Sequence, residues 1–104
     1  MKTGDFAAAL EHVHKGLAIK EALLAASPDA TDRKIEVADS HCFRGNVQVA
    51  AARWRDARSA YQQALDIWTE LSKKGVKPGG VADCTPEYLS EQIAKCDTEM
   101  ARRR

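Results

Sequence analysis

The sequence contains few residues that break helices or favour strands. Its 104 residues include three prolines and six glycines, and only 6% of them are aromatic. β-branched residues are few and alanine is frequent, which favours helix over strand. No stretch alternates apolar and polar residues as a half-buried strand does. This composition predicts an all-α protein.

Long apolar runs and an excess of one charge are also missing. No apolar stretch approaches the roughly 20 residues needed to span a bilayer. The 16 lysines and arginines against 15 aspartates and glutamates give a net charge of +1, which argues against nucleic acid or a membrane surface as partner. The first 15 residues mix charges and histidines into their apolar residues, unlike a signal peptide. We expect a single cytoplasmic domain.

Metal-binding and redox spacings are absent from the cysteines and histidines. The three cysteines are Cys42, Cys84 and Cys96. Their odd number and wide separation favour free thiols in a reducing compartment over a disulfide framework. His12 and His14 lie on different sides of a helix and cannot share a metal, while His41 beside Cys42 leaves a site across helices open. We expect no metal, no cofactor and, without a nucleophile–base spacing, no enzyme.

Apolar residues spaced three or four apart indicate four helices. They lie at residues 4–26, 32–51, 53–74 and 85–104, with a loop at 75–84. Pro28 ends the first helix, and Gly75 provides a left-handed stop after the third. Thr85 is an N-cap and Pro86 takes the first helical position of the fourth. We expect Leu89, Ile93, Cys96 and Met100 to pack that helix onto the third.

The first and third predicted helices are copies of each other. A shift of 48 residues places Phe6 on Trp54 and Val13 on Tyr61. Further pairs are Ala9 with Ala57, Gly16 with Ala64, Leu17 with Leu65, Ile19 with Ile67 and Leu23 with Leu71. Gly45 interrupts the helix between the two copies at a cost of about 1 kcal/mol relative to alanine, which a close helix crossing would offset. The aromatic residues of the third helix are therefore expected in the core.

These residues resemble the tetratricopeptide repeat family. The family pattern is a glycine in the first helix, an aromatic at the turn, and alanine, aromatic and alanine in the second helix. It is matched by Gly45, Trp54, Ala57, Tyr61 and Ala64, and more loosely by Phe6, Ala9, Val13 and Gly16 for the end of a preceding repeat. The 48-residue shift exceeds the usual repeat of about 34 residues and resembles stretched, kinesin-light-chain-like repeats. The chain also resembles the end of the repeat region in large bacterial proteins that include Ser/Thr kinases, although it holds no kinase motif.

The resemblance implies a fragment of a right-handed α-solenoid whose residues 85–104 form a capping helix. It implies a non-enzymatic scaffold that binds a protein or peptide in a groove lined by first helices of the repeats. On the helix at 32–51, the candidate groove residues are Asp39, Cys42, Asn46 and Val49.

Two alternatives remain open. The chain could be a structural cap or self-association module of a larger protein, a kinase-linked one included. The candidate strip for a homodimer through the N-terminal helix is Phe6, Leu10, Val13 and Leu17. A weaker hypothesis is nucleic-acid contact through Arg53, Arg55 and Arg58, against which the near-zero net charge argues.

Overall fold

The computed structural model describes residues 3–78 and 84–103, and these form four helices without a strand. The helices are α1 (Thr3–Ala26), α2 (Thr31–Ala50), α3 (Trp54–Lys73) and α4 (Pro86–Arg102). The predicted all-α fold is confirmed. Thr85 caps α4 as predicted, because its hydroxyl oxygen accepts a hydrogen bond from the backbone N–H of Tyr88 at 3.1 Å. Part of the predicted loop at 75–84 lies outside the described residues.

Two helices end in the same left-handed turn. After α3, Gly75 has a φ of 81°, and the N–H of Val76 donates to the carbonyl of Leu71 at 3.0 Å. This is the stop predicted for Gly75. After α2, Ala52 takes the equivalent position with a φ of 58°, and its N–H donates to the carbonyl of Val49 at 2.9 Å. A left-handed alanine costs roughly 1 kcal/mol, which the return of α3 onto α2 must offset.

Each helix packs mainly against the next along the chain. The helices α3 and α4 run antiparallel, since Trp54 and Arg58 near the start of α3 meet Arg103 and Asp97 near the end of α4. The Lys20 ammonium donates to the Ser40 hydroxyl at 2.9 Å between α1 and α2, and Arg58 pairs with Asp97 at 2.6 Å between α3 and α4. The main core cluster joins α2, α3 and α4. Its buried members are Ala38, Cys42, Ala57, Tyr61, Ala64, Trp68, Leu71, Leu89, Ile93 and Cys96. The predictions are therefore confirmed for Tyr61 and Trp68 as core residues and for the packing of Leu89, Ile93 and Cys96. Trp54 packs against this cluster from a partly buried position, and Met100 is partly exposed and is not a member of it.

The crossing of α2 and α3 is as close as the glycine predicted. A Cβ added to Gly45 would lie 2.6 Å from Cε1 of Tyr61, a separation that side chains do not tolerate. The Tyr61 ring is fully buried at this crossing, and its hydroxyl donates to Asn46 Oδ1 at 2.7 Å. The ring of Tyr61 therefore fills the space that a side chain at position 45 would occupy.

The expectation of three free thiols is wrong for two of them. Cys42 on α2 and Cys84 before α4 form a disulfide, with their Cα atoms 6.2 Å apart. Cys96 remains a free, buried thiol. The bonded cysteines are 42 residues apart in sequence, and they meet because α3 returns the chain to α2. The spacing of the cysteines in the sequence therefore could not predict this disulfide.

Replacing Gly45 and Gly16 with alanine should change the stability of the protein in opposite directions. We expect Gly45→Ala to lower the free energy of unfolding by about 1–3 kcal/mol, because the new methyl group displaces the Tyr61 ring. Gly16→Ala is the matched control, since a Cβ there meets nothing within 4 Å, and it should stabilise α1 by up to about 1 kcal/mol. Urea denaturation of both variants measures the difference. Equal destabilisation by the two substitutions would contradict the close crossing.

The disulfide should contribute strongly to stability. We expect Cys84→Ser to lower the free energy of unfolding by about 2–4 kcal/mol, because the bond closes a loop of 42 residues in the unfolded chain. A reductant should cause a similar loss in the wild-type protein and none in the variant. A wild-type melting temperature that does not change on reduction would contradict this contribution.

Candidate functional site

The four residues predicted to line a peptide groove do not share one open surface. Cys42 is fully buried and bonded to Cys84, so no peptide can contact it. Val49 packs against the core cluster. Asp39 is exposed, but it lies on another side of α2, facing α1. The prediction of a single groove made by these side chains is therefore corrected.

Asn46, the fourth of these residues, is held by two tyrosines. Its Oδ1 atom accepts hydrogen bonds from the hydroxyls of Tyr61 and Tyr88, each at 2.7 Å. The two rings meet edge to face with centroids 6.3 Å apart. Burial, together with the neighbouring tyrosine, raises the pKa of Tyr61, so this hydroxyl stays a donor. The start of α4 therefore closes the face of α2 on which the groove was expected.

The strip predicted for self-association is mostly buried within the single chain. Leu10, Val13 and Leu17 are 9%, 6% and 5% exposed, and Phe6 is half-buried. The expectation that this strip needs a second copy to cover it is therefore wrong. The large apolar side chains that α1 does expose are Ile19 and Leu23, on its other side.

An open groove lies between α1 and α2, with a volume of about 460 Å³. Its lining residues are His12, Val13, Gly16 and Lys20 from α1, and Asp39, Ser40 and Phe43 from α2. Phe43 is 53% exposed, a large fraction for an aromatic side chain on a groove wall. The sequence did not point to Phe43 because it lies outside the apolar spacing of α2.

Two polar side chains of this groove, those of Lys20 and Ser40, are bonded to each other. The Lys20 ammonium donates to the Ser40 hydroxyl oxygen, and that hydroxyl donates to the backbone carbonyl of Glu36 at 3.0 Å. Burial raises the pKa of Asp39, and the positive charge of Lys20 partly offsets the shift. Ser40 gives its proton to a backbone carbonyl and is not paired with a general base. The groove therefore offers binding surface and lacks the arrangement of an activated nucleophile.

His41 lies on a different side of α2, where α1 and α3 flank a second, shallower groove. It is 6% exposed, and its Nδ1 atom is 3.1 Å from the guanidinium of Arg44. Since a guanidinium can only donate, the imidazole accepts through Nδ1 and is neutral. Burial, and then the charge of Arg44, lowers the pKa of His41 to about 4.

These contacts argue against a metal site that includes His41 and Cys42. The ring nitrogen Nδ1 faces Arg44, and Cys42 is committed to the disulfide. In the part of the chain that the structure describes, no three His, Cys, Asp or Glu residues are grouped so that they could hold a metal ion.

Two cations near the third helix also have partners. Arg58 pairs with Asp97, and the guanidinium of Arg103 lies 5.8 Å from the ring centroid of Trp54. The second contact is a cation–π interaction that joins the end of α4 to the start of α3. These side chains serve the α3–α4 packing.

His41 predicts a pH dependence of stability with a definite sign. Between the ordinary pKa of 6.5 and about 4, the unfolded chain binds a proton at this histidine and the folded chain does not. The contribution of His41 to stability is therefore fully present above pH 6.5, and it should fall by about 2–3 kcal/mol as the pH drops through this interval. His41→Gln should flatten the pH profile of urea denaturation over this interval. Parallel profiles for wild type and His41→Gln would contradict the prediction.

None of the described helices combines the length and apolar character needed to cross a membrane. No protein-family model, curated protein or solved structure matches the chain. Its function is therefore inferred from the packing and chemistry of its own residues.

Proposed function

We propose that the chain is a non-enzymatic, helical-repeat interaction module that binds a polypeptide in the groove between α1 and α2. The observation that carries the proposal is the exposed ring of Phe43 on the wall of this groove, beside the small residue Gly16. Aromatic side chains at the edge of an apolar groove are frequent anchors for protein partners. The free concave surface at Gly16 allows a partner to approach the backbone closely.

Two features support the repeat character of the module. The first is the tetratricopeptide-like pattern of Gly45, Trp54, Ala57, Tyr61 and Ala64, and the second is the packing of each helix against its neighbour in the chain. Repeat proteins pack in this way, and they commonly present grooves between helices to other polypeptides. The proposed surface differs from the one expected from sequence, because the start of α4 covers Cys42 and Asn46.

The cysteine pairing bears on the compartment. We expected a cytoplasmic protein, but a disulfide such as that between Cys42 and Cys84 is more typical of oxidising compartments. The disulfide therefore weighs against the cytoplasmic expectation. It does not affect the proposed groove, whose lining residues include neither cysteine.

A second candidate function, that of a structural cap, is favoured by the outer face of α4. Its residues Glu87, Glu91, Lys95 and Thr98 are exposed and polar, while the opposite face packs on α3. A polar outer helix is what a repeat array needs at its end. The cap and the binding groove lie at opposite ends of the helix order, so one chain can have both roles.

Affinity capture tests the proposed function. The immobilised protein should retain a polypeptide partner from a cell extract of the source organism, and Phe43→Glu should reduce the retained amount at least tenfold. Ala94→Glu is the matched control, because Ala94 is exposed on α4, away from the groove. Circular dichroism checks that both variants fold. Identical sets of retained proteins for all three forms, or no retained partner, would contradict the proposal.

A further inference from the structure

Arginines from the third and fourth helices come together at one end of the molecule. The guanidinium of Arg103, the C-cap of α4, lies 5.8 Å from the ring centroid of Trp54, the first residue of α3. Trp54 is flanked in the chain by Arg53 and Arg55, and both of these are exposed. Residues that are far apart in the sequence therefore contribute to one basic surface.

This surface, the arginine cluster, consists of five residues at two helix ends. Its members are Arg53, Arg55 and Arg58 at the start of α3, and Arg102 and Arg103 at the end of α4. The carboxylates on the same helix ends are fewer, namely Asp56, Asp97 and Glu99. Because the whole chain has a net charge of only +1, this end of the molecule is more positive than the rest.

Ion pairs neutralise only part of the arginine cluster. Asp97 pairs with one member, Arg58, at 2.6 Å, and Glu99 pairs with both members at the end of α4. Within the part of the chain that the structure describes, the two exposed arginines that flank Trp54 form no ion pair. Their guanidinium groups are therefore available to carboxylates of a ligand, to which arginine can donate two parallel hydrogen bonds.

The position of these two arginines is unfavourable in the free protein. Arg53 is the N-cap of α3 and makes no side-chain cap hydrogen bond, and Arg55 lies in the first turn. The N-terminal end of a helix carries a partial positive charge, which repels a cation placed there. A carboxylate bound to these guanidinium groups would offset the repulsion.

We propose that the arginine cluster is a second interaction surface, which binds an acidic segment of a partner polypeptide. Carboxylates of the segment pair with Arg53 and Arg55, and Arg103, held beside Trp54, extends the surface onto α4. The inference goes beyond the proposed function, because the groove between α1 and α2 includes none of these residues.

The carboxylates within the arginine cluster favour a short acidic segment over a nucleic acid. A nucleic acid presents a continuous row of phosphates and is usually bound by a basic stripe or patch on a strongly basic domain. Here Asp97 and Glu99 lie among the arginines, and the net charge of the chain is only +1. A few carboxylates of a polypeptide match a local excess of positive charge better than a long phosphate backbone does.

Fluorescence anisotropy with labelled peptides tests this inference. The acidic probe is a peptide of four Glu-Gly repeats, and the control probe has four Gln-Gly repeats. At low salt, the acidic peptide should bind the full chain with a dissociation constant of roughly 0.1 mM, and the control peptide should not bind. A tenfold rise in sodium chloride should weaken the acidic peptide at least about threefold, because salt screens exposed charges. Equal binding of the two peptides would overturn recognition by charge.

Charge reversals at the two ends of α3 locate the site. Arg55→Glu should weaken the acidic peptide at least about tenfold, yet raise the melting temperature of the free protein by about 2–6 °C, because it places an anion at the positive end of the helix. Lys73→Glu, in the last turn of the same helix, is the matched control with the same change in net charge. It should lower the melting temperature and change the affinity less than about twofold. A loss of binding that accompanies a gain in stability cannot be due to unfolding.

Arg103→Gln tests whether α4 contributes to the same surface. This variant removes the charge beside Trp54 and should weaken the acidic peptide about threefold. An unchanged affinity would confine the binding to the start of α3 and overturn the surface made by two helices.

The remaining outcomes would identify a different ligand or no local site. Equal weakening by Arg55→Glu and Lys73→Glu would reduce the effect to net charge and overturn the site. A thymidine oligonucleotide that binds more tightly than the acidic peptide, and is lost with Arg55→Glu, would make nucleic acid the ligand. A dimer that Arg55→Glu dissociates would make a second copy the occupant. Each of these results would overturn the inference and leave the proposed function intact, since Phe43 lies outside the arginine cluster.

Discussion

The contact between Gly45 and Tyr61 determines how the other elements are placed. Because α2 has no side chain at this point, α3 approaches closely enough for the buried ring to occupy the crossing. The ring in turn directs its hydroxyl to Asn46, which also accepts the hydroxyl of Tyr88 from α4. One glycine thus fixes the distance between two helices and allows a third to join them. The Cys42–Cys84 disulfide ties the same junction covalently, so packing, hydrogen bonding and a covalent bond all reinforce a single arrangement.

The helices and their ends could be predicted because their signals are local. Gly75 and Thr85 act through backbone geometry and hydrogen bonds within a few residues, and the spacing of Leu89, Ile93 and Cys96 indicates one buried face. The close crossing at Gly45 could also be predicted, because an internal glycine needs a compensating contact. The disulfide could not, since its cysteines meet only after three helices have packed. Because the disulfide could not be predicted, the face of α2 around Cys42 was expected to be exposed and available for binding.

The side of α1 that packs on α2 also could not be predicted from the sequence. This helix carries alanines and larger apolar residues on most of its circumference, so spacing alone does not decide which side meets α2. The structure buries Leu10, Val13 and Leu17 and exposes Ile19 and Leu23. A signal for the groove was nevertheless present in the repeat itself. At two shifted positions the copies differ: the third helix has the buried Ala64 and Trp68, whereas the first has Gly16 and Lys20, and both of these line the groove.

The position of the disulfide along the chain has a mechanical meaning. The bond between Cys42 and Cys84 encloses all of α3 within a covalent ring. A pulling force applied at the two ends of the chain bypasses this ring, so the 42-residue interval cannot extend while the bond is intact. That interval corresponds to roughly 140 Å of contour length that only reduction would release. Under tension, α1, the first part of α2 and all of α4 can be pulled out, because they lie outside the loop that the disulfide closes. α3 stays inside this loop, so the extension of the middle of the chain is limited to a fixed length.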